Sequence, residues 1–207
     1  MNARKRSSGS QGRRRPSAAG RRRQLAKRTL ILTEGEKTEV LYFKGLRKSY
    51  PDVGSRIEVE HLEESVQNAI TRAFSAYEAV WLVLDQDAHS EQEMLRWVTK
   101  AKKRKGKKAP MHFAFSRPCF EVWLLAHYAK VRPYQDQKDA ALHYRSVATP
   151  TGPKLKGLPT DFDFSRYALA AKNCSLDSGA IVGELPGNPG SQMPALLEEV
   201  FGLSFER

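Results

Sequence analysis

The chain has 207 residues, 40% hydrophobic and 28% charged, which fits one compact domain of ordinary size with a tail or two, so no second large domain is expected. No stretch approaches the roughly 18 to 20 uninterrupted apolar residues of a membrane-spanning helix, and the basic N-terminus lacks the apolar run and small-residue cleavage site of a secretory signal, so a cytoplasmic protein without a membrane partner is expected. The two cysteines, Cys119 and Cys174, have neither a Cys-x-x-Cys pairing nor a matching histidine cluster, which argues against a disulfide framework and a structural zinc site.

The net charge of +12 is unevenly distributed: Met1 to Arg28 holds 11 Lys/Arg and no acid, and Lys100 to Lys108 adds 7 more. The remainder has 17 basic residues against 23 acidic ones, a balance of −6, so polyphosphate attraction is concentrated in two segments of a mildly acidic body. Residues 1–28 are Arg, Ser, Gly, Lys and Gln with almost no apolar side chains, and are predicted to be a disordered tail. That tail is either a solubilising extension or a tether for nucleic acid (DNA or RNA). On the second reading, Arg13, Arg14, Arg15, Arg21, Arg22 and Arg23, with Lys102, Lys103, Arg104 and Lys105 of the lysine-rich segment, are the candidate phosphate contacts.

The body alternates short apolar runs with helix-length amphipathic segments, the pattern of an α/β protein with a mostly parallel sheet. Thr29 to Thr33 reads as a buried strand, followed by a helix over Glu36 to Ser49 with Val40, Leu41, Phe43 and Leu46 on its apolar face. Pro51 and Gly54 close that unit. Ile57 to Leu62 alternates as a strand, Ser65 to Tyr77 reads as a helix, and Val80 to Leu84 is a second buried strand ending in an acidic loop. A helix over Ser90 to Ala101 precedes the lysine-rich segment, and Met111 to Phe115 then forms a strand leading into a helix over Cys119 to Tyr128. Beyond it prolines punctuate short pieces, with helical C-terminal additions expected near Lys138 to Tyr144, Phe164 to Cys174 and Met193 to Phe201.

Three patterns stand at the ends of these elements, where an open α/β sheet places its ligands. Glu34 follows the first strand, beside Gly35, which permits a tight turn or close ligand approach. Asp85 and Asp87 follow the most apolar strand, spaced so that two carboxylates can share a hard cation with an acid from a neighbouring strand. Each alone is as well explained by helix capping or a solvated turn, but parallel pairing of the two strands would bring all three acids to one edge. Mg²⁺, with Mn²⁺ as a substitute, suits such a site because a few carboxylates leave positions open for water and phosphate oxygens. The third pattern runs from Ser116 to Leu125. Either Ser116 or Arg117 precedes a helix with Pro118 near its start and Glu121 in its first turn, or Ser116 and Glu121 border the same edge and complete or orient the metal shell. The aromatic residues fall mostly on apolar strand or helix-face positions and are not read as base-stacking platforms.

Taken together, Glu34-Gly35-Glu36-Lys37-Thr38-Glu39 followed by Tyr42-Phe43, the Asp85/Asp87 pair, Ser116-Arg117-Pro118-Cys119-Phe120-Glu121-Val122-Trp123-Leu124-Leu125, and Asn188-Pro189-Gly190-Ser191 before a helix resemble the RloB-like family, a Toprim-related group associated with bacterial anti-phage loci. The resemblance spans Leu30 to Phe201 and leaves the basic tail outside. It implies a single Toprim-like domain over residues 29–207, in which Glu34, Asp85 and Asp87 bind Mg²⁺ for phosphodiester chemistry. Toprim nucleases of the OLD class use further acids, for which Glu39 and Glu121 are the nearest counterparts, although the spacing of Glu39 differs from that class. Family members often lie beside an ATPase of the ABC or AAA type, which implies an effector controlled by a partner.

The reading favoured at this level is a metal-dependent endonuclease in which Glu34 or Glu39 serves as ligand or general base and Asp85 and Asp87 as ligands, with Lys37, Arg117 or Lys154 supplying a cation near the phosphate. The alternative is a non-catalytic nucleic-acid-binding or regulatory subunit of an ATPase-containing defence complex. Loss of cleavage in EDTA and in Glu34→Gln separates the two.

Overall fold

Alternation along the strands builds the architecture. Ile31, Trp81, Val83 and Ala114 point to one face of the sheet, and Leu30, Leu32, Val80, Leu82, Leu84, Phe113 and Phe115 to the other; both faces are buried, each in its own hydrophobic cluster. The structure, a computed structural model, describes residues 28–106, 108–151, 157–174 and 185–205.

Strands β1 (Thr29–Thr33), β2 (Ile57–His61), β3 (Ala79–Asp85) and β4 (Met111–Arg117) are parallel, and the two-residue β5 (Gly190–Ser191) is antiparallel to β4, giving the order β2-β1-β3-β4-β5. This is the expected mostly parallel sheet flanked by helices. Helix α1 (Thr38–Ser49) and the turn of helix α2 (Pro51–Gly54) join β1 to β2, and α1 packs on one face through Tyr42, Phe43 and Leu46. Helices α3 (Val66–Thr71) and α4 (Glu91–Lys102), which follow β2 and β3, pack on the opposite face. The chain therefore reverses its winding between β1 and β3, and a crevice opens at the C-terminal ends of these strands. Helices α5 (Glu121–Ala126), α6 (Gln137–Val147), α7 (Tyr167–Asn173) and α8 (Met193–Phe201) thicken the face occupied by α1. The edge strand β2 turns Ile57 and Val59 inward, while Glu58 and Glu60 alternate onto its other side.

Several boundaries differ from those read in the sequence. Helix α1 begins at Thr38 because residues 34–37 form a turn, and Leu41 is 46% exposed while Tyr42 is fully buried in its place. Helix α3 stops at Thr71 rather than continuing to Tyr77: Arg72 is extended, Phe74 takes a positive φ of 51°, and the Arg104 guanidinium donates to the carbonyls of Ile70 and Arg72 at the helix end. Strand β4 runs on to Arg117, pairing Ser116 with both Asp85 and Ser191. Helix α5 consequently starts later, at Glu121, and its N-cap Phe120 makes no side-chain capping bond, which rules out a capping box led by Ser116 or Arg117. Strand β5 had no sequence counterpart. It is held by Asn188, whose side chain accepts from the Tyr134 amide (3.3 Å) and donates to the Tyr134 carbonyl (2.7 Å). No helix among the described residues is long and apolar enough to cross a membrane.

Candidate functional site

The crevice at the winding reversal is an acid-lined cleft of about 560 Å³ whose walls include Glu34, Glu39, Asp85, Asp87 and Glu121. Glu34 leaves β1 with its amide bonded to the Val83 carbonyl (3.0 Å), which sets it beside the end of β3. Its Oε2 accepts from the Asp85 amide (3.1 Å) and its Oε1 from His89 Nε2 (2.7 Å). Asp85 Oδ1 accepts from the Phe120 amide (2.8 Å), and the Asp87 amide donates to the Pro118 carbonyl (3.2 Å), so the end of β3 is tied to the turn that delivers Glu121 at the first position of α5. Glu39 enters from the first turn of α1 and is buried. Its carboxylate lies over Gly35 so closely that a Cβ there would be 1.7 Å from Oε2; the bare Cα is the space the acid occupies.

Charge concentrates on Asp85. Burial, then the negative charges of Glu39, Glu121 and Glu34, hold its carboxyl well above the usual carboxylate range, against the opposing pull of the Phe120 N–H. Four carboxylates from β1, α1, β3 and α5 thus feel one another at a single point. The Cys119 thiol, buried beside Glu121 and Asp85, is pushed far up from its ordinary value, so it stays protonated and is no nucleophile. Cys174 is likewise buried and pushed up to about 12.

The sequence-selected acids meet here, but not as equals. Asp87 lines the same cleft from an exposed rim position, where its Oδ2 accepts from the Gln137 amide at the start of α6 (2.9 Å). Glu39 and Glu121 stand closer to Asp85 in electrostatic terms than that rim acid does. Ser116 is turned away from the cleft, its Oγ 2.9 Å from Ser191 Oγ. Of the three cations considered, Lys37 lines the cleft and is exposed, Arg117 is 3.3 Å from Glu91, and Lys154 lies outside the described residues. The tail arginines 13–15 and 21–23 also lie outside them, whereas Arg28 belongs to the body, paired with Glu58 and 5.7 Å from the Tyr77 ring centre. In the lysine-rich segment, Lys102, Lys103 and Lys105 are exposed; Arg104 is instead committed to carbonyls of the α3 end and Ala109.

Two site neighbours carried no signal in the sequence. His89 orients Glu34, and its ring meets Trp97 edge to face at 4.7 Å. Both line a second cleft of about 510 Å³ on the far side of Glu34, which serves as the common wall. The turn after β3 carries His89, and the middle of α4 carries Trp97, to that acid.

A mostly parallel sheet of five strands flanked by helices, with a carboxylate-lined cleft at its winding reversal, defines an α/β protein. A family model described as RloB-like protein matches residues 29–200, and the chain belongs to that family. Neither a curated protein nor a solved structure was found to match it.

Proposed function

We propose that the protein is a Mg²⁺-dependent nuclease of Toprim type, with Mn²⁺ able to substitute, acting on nucleic-acid phosphodiesters as an anti-phage effector controlled by an ABC- or AAA-type ATPase. The observation that carries this reading is the convergence of Glu34, Glu39 and Glu121 on the half-buried Asp85, whose carboxyl is held well above its ordinary value by loss of solvation and then by those three charges. Like charges are brought together at such a cost where a cation is to be bound.

The residues fit a hard divalent ion by the chemistry of the donor set, carboxylate oxygens beside open cleft volume. Among the described residues no group of three His, Cys, Asp or Glu side chains is assembled as a ready-made cage, so the fit rests on that chemistry and on the repulsion at Asp85. Asp85, Glu34 and one of Glu39 and Glu121 would hold the ion, with Asp87 at the rim and the other of that pair serving as a base. Bound there, it would supply charge stabilisation to the phosphoryl group and acidify a water.

The protein's own groups divide the remaining work. Glu34 already accepts from His89 and the Asp85 amide, which assigns it to keeping the acids in place. The water that attacks phosphorus gives its proton to a carboxylate oxygen of Glu39 or Glu121 as the new P–O bond forms and the bond to the leaving oxygen breaks. Lys37, on the lip, meets the phosphate's negative charge. The exposed Lys102, Lys103 and Lys105 add sequence-independent attraction for the polyanion.

The test is cleavage of labelled DNA and RNA with Mg²⁺ or Mn²⁺, with EDTA, and by Glu34→Gln. Cleavage that EDTA abolishes, and that Glu34→Gln loses while melting near the parent, is the expected result. Metal-free cleavage, or full activity in Glu34→Gln, would overturn it. A parent that binds nucleic acid and leaves it intact in every metal is the non-catalytic subunit.

A further inference from the structure

The second cleft, across Glu34 from the acids, is walled by Trp97, His89 and Arg96, with Ser65 and Gln67 as exposed polar groups. Trp97 keeps part of its surface open, whereas Trp81 and Trp123 are fully buried. The acids that share this cleft are already engaged: Glu93 accepts from the Ser90 hydroxyl (2.8 Å) and amide (3.1 Å), and Glu64 pairs with Arg72 at 3.0 Å.

The cleft continues onto the outer face of α4. Arg96, Lys100 and Lys103 are spaced i, i+4, i+7, so they lie on one side of the helix, with Leu95 and Thr99, themselves i, i+4, flanking the row. Lys100 and Lys103 then stand about 6 and about 10 Å beyond Arg96 along the axis. No acid pairs with Lys100 or Lys103 among the described residues, and Leu95 is 47% exposed. The row of cations therefore starts at an open aromatic ring beside Glu34 and leads away from it.

We propose that this cleft and the outer face of α4 form the track for a single-stranded nucleic acid, with one unpaired base stacked on Trp97 beside Glu34 and the following phosphates on Arg96, Lys100 and Lys103. An aromatic ring and a row of cations are the two components of a sequence-tolerant strand site. A duplex is refused because its bases are already stacked on one another and unavailable to the indole. The exposed Leu95 gives the sugars an apolar contact alongside the charges. The track rests on the proposed nuclease reading for its place beside the reacting phosphate; binding itself requires neither metal nor cleavage.

The experiment uses the full chain in EDTA, titrated with oligo(dT) or oligo(U) of about 15 nucleotides, and with a duplex of the same length. Because the other two tryptophans are buried, fluorescence quenching reports on Trp97. Single strands should quench the emission and bind at least tenfold tighter than the duplex. Trp97→Phe should remove the quench, and Lys100→Ala/Lys103→Ala should lower the slope of log K against log salt by about 1.4, the loss of two phosphate contacts. Strand binding without quenching, a quench that survives Trp97→Phe, equal duplex affinity, or an unchanged salt slope in the lysine variant would each overturn the track. Metal-dependent cleavage alongside any of those results leaves the nuclease reading intact, and quenching by a strand that is never cut leaves the track intact while that reading fails.

Discussion

Two buried polar regions lie on the same side of the sheet and are built in opposite ways. Around Tyr42, polar atoms are absorbed into an aromatic box: Trp123 Nε1 donates to Tyr42 Oη (2.9 Å), His127 Nδ1 donates to the Trp123 carbonyl (3.0 Å), and Phe120 and Phe162 meet the Tyr42 ring edge to face. Around Asp85, by contrast, like charges are gathered: Glu39, Glu121 and Glu34 all raise its carboxyl, on top of the loss of solvation. The box excludes charge, pushing Tyr42 up and lowering His127 to about 4. The difference separates a region packed for stability from one that holds like charges together at a cost, which on the proposed reading a bound cation would offset.

The largest way to break this contrast is Asp85→Asn. Removing the charge the cluster repels should raise the melting temperature of the metal-free protein at neutral pH, while metal-dependent cleavage falls on the order of a thousandfold. Melts with and without millimolar Mn²⁺, run beside cleavage assays, check both halves; a lower melting temperature would show that Asp85 is a structural acid.

Proton linkage sharpens the comparison, because the two regions slope in opposite directions. His127 is held below its ordinary 6.5, so the unfolded chain takes up a proton first, and stability present above pH 6.5 is lost as pH falls towards about 4. That loss is on the order of 3 kcal/mol. Asp85 is held above its ordinary 3.8, so the folded chain keeps its proton longer, and its contribution is lost as pH rises from about that value. Denaturant melts from pH 4 to 8 should therefore show a steeper acid-side loss in Asp85→Asn than in the parent, and a shallower one in His127→Gln.

Gly35→Ala probes the cleft without altering a charge. The added methyl takes the space of the Glu39 carboxylate, and cleavage should fall about 10- to 100-fold with the melt little changed. The smallest effect belongs to Asp87→Asn. Its carboxylate sits at the exposed rim on the Gln137 amide, so Mn²⁺ affinity measured by calorimetry should change less than about tenfold, well below the change in Asp85→Asn.

Much of this was legible from residue order. The apolar runs of β1 and β3 are unambiguous, and parallel pairing brings Glu34 and Asp85 together as their spacing implied. Glu39 and Glu121 were reached through resemblance, and their approach to Asp85 depends on the turn at Gly35 and the amide of Phe120. Ser116 and Arg117 look like loop residues because they are polar, yet they continue β4, which moved the start of α5 and removed a capping box led by either of them, while Glu121 keeps its expected place in the first turn of the helix. Helix α3 was read too long because its stop depends on Arg104, 32 residues beyond Arg72. His89 and Trp97 gave no signal, since His89 meets Glu34, 55 residues earlier, and Trp97 meets the His89 ring only once the chain is folded.

The open edge at β2 also governs how copies of the chain meet one another. A parallel sheet ending in an unpaired strand is a template for further strands, and a flat apolar edge would invite aggregation. Glu58 and Glu60 put like charges on the side of β2 away from Ile57 and Val59, and Arg28 and Tyr77 fasten Glu58 in place. A second copy approaching in register would set Glu60 beside its own counterpart and would have to displace the Arg28–Glu58 pair, so this edge disfavours strand addition by another copy.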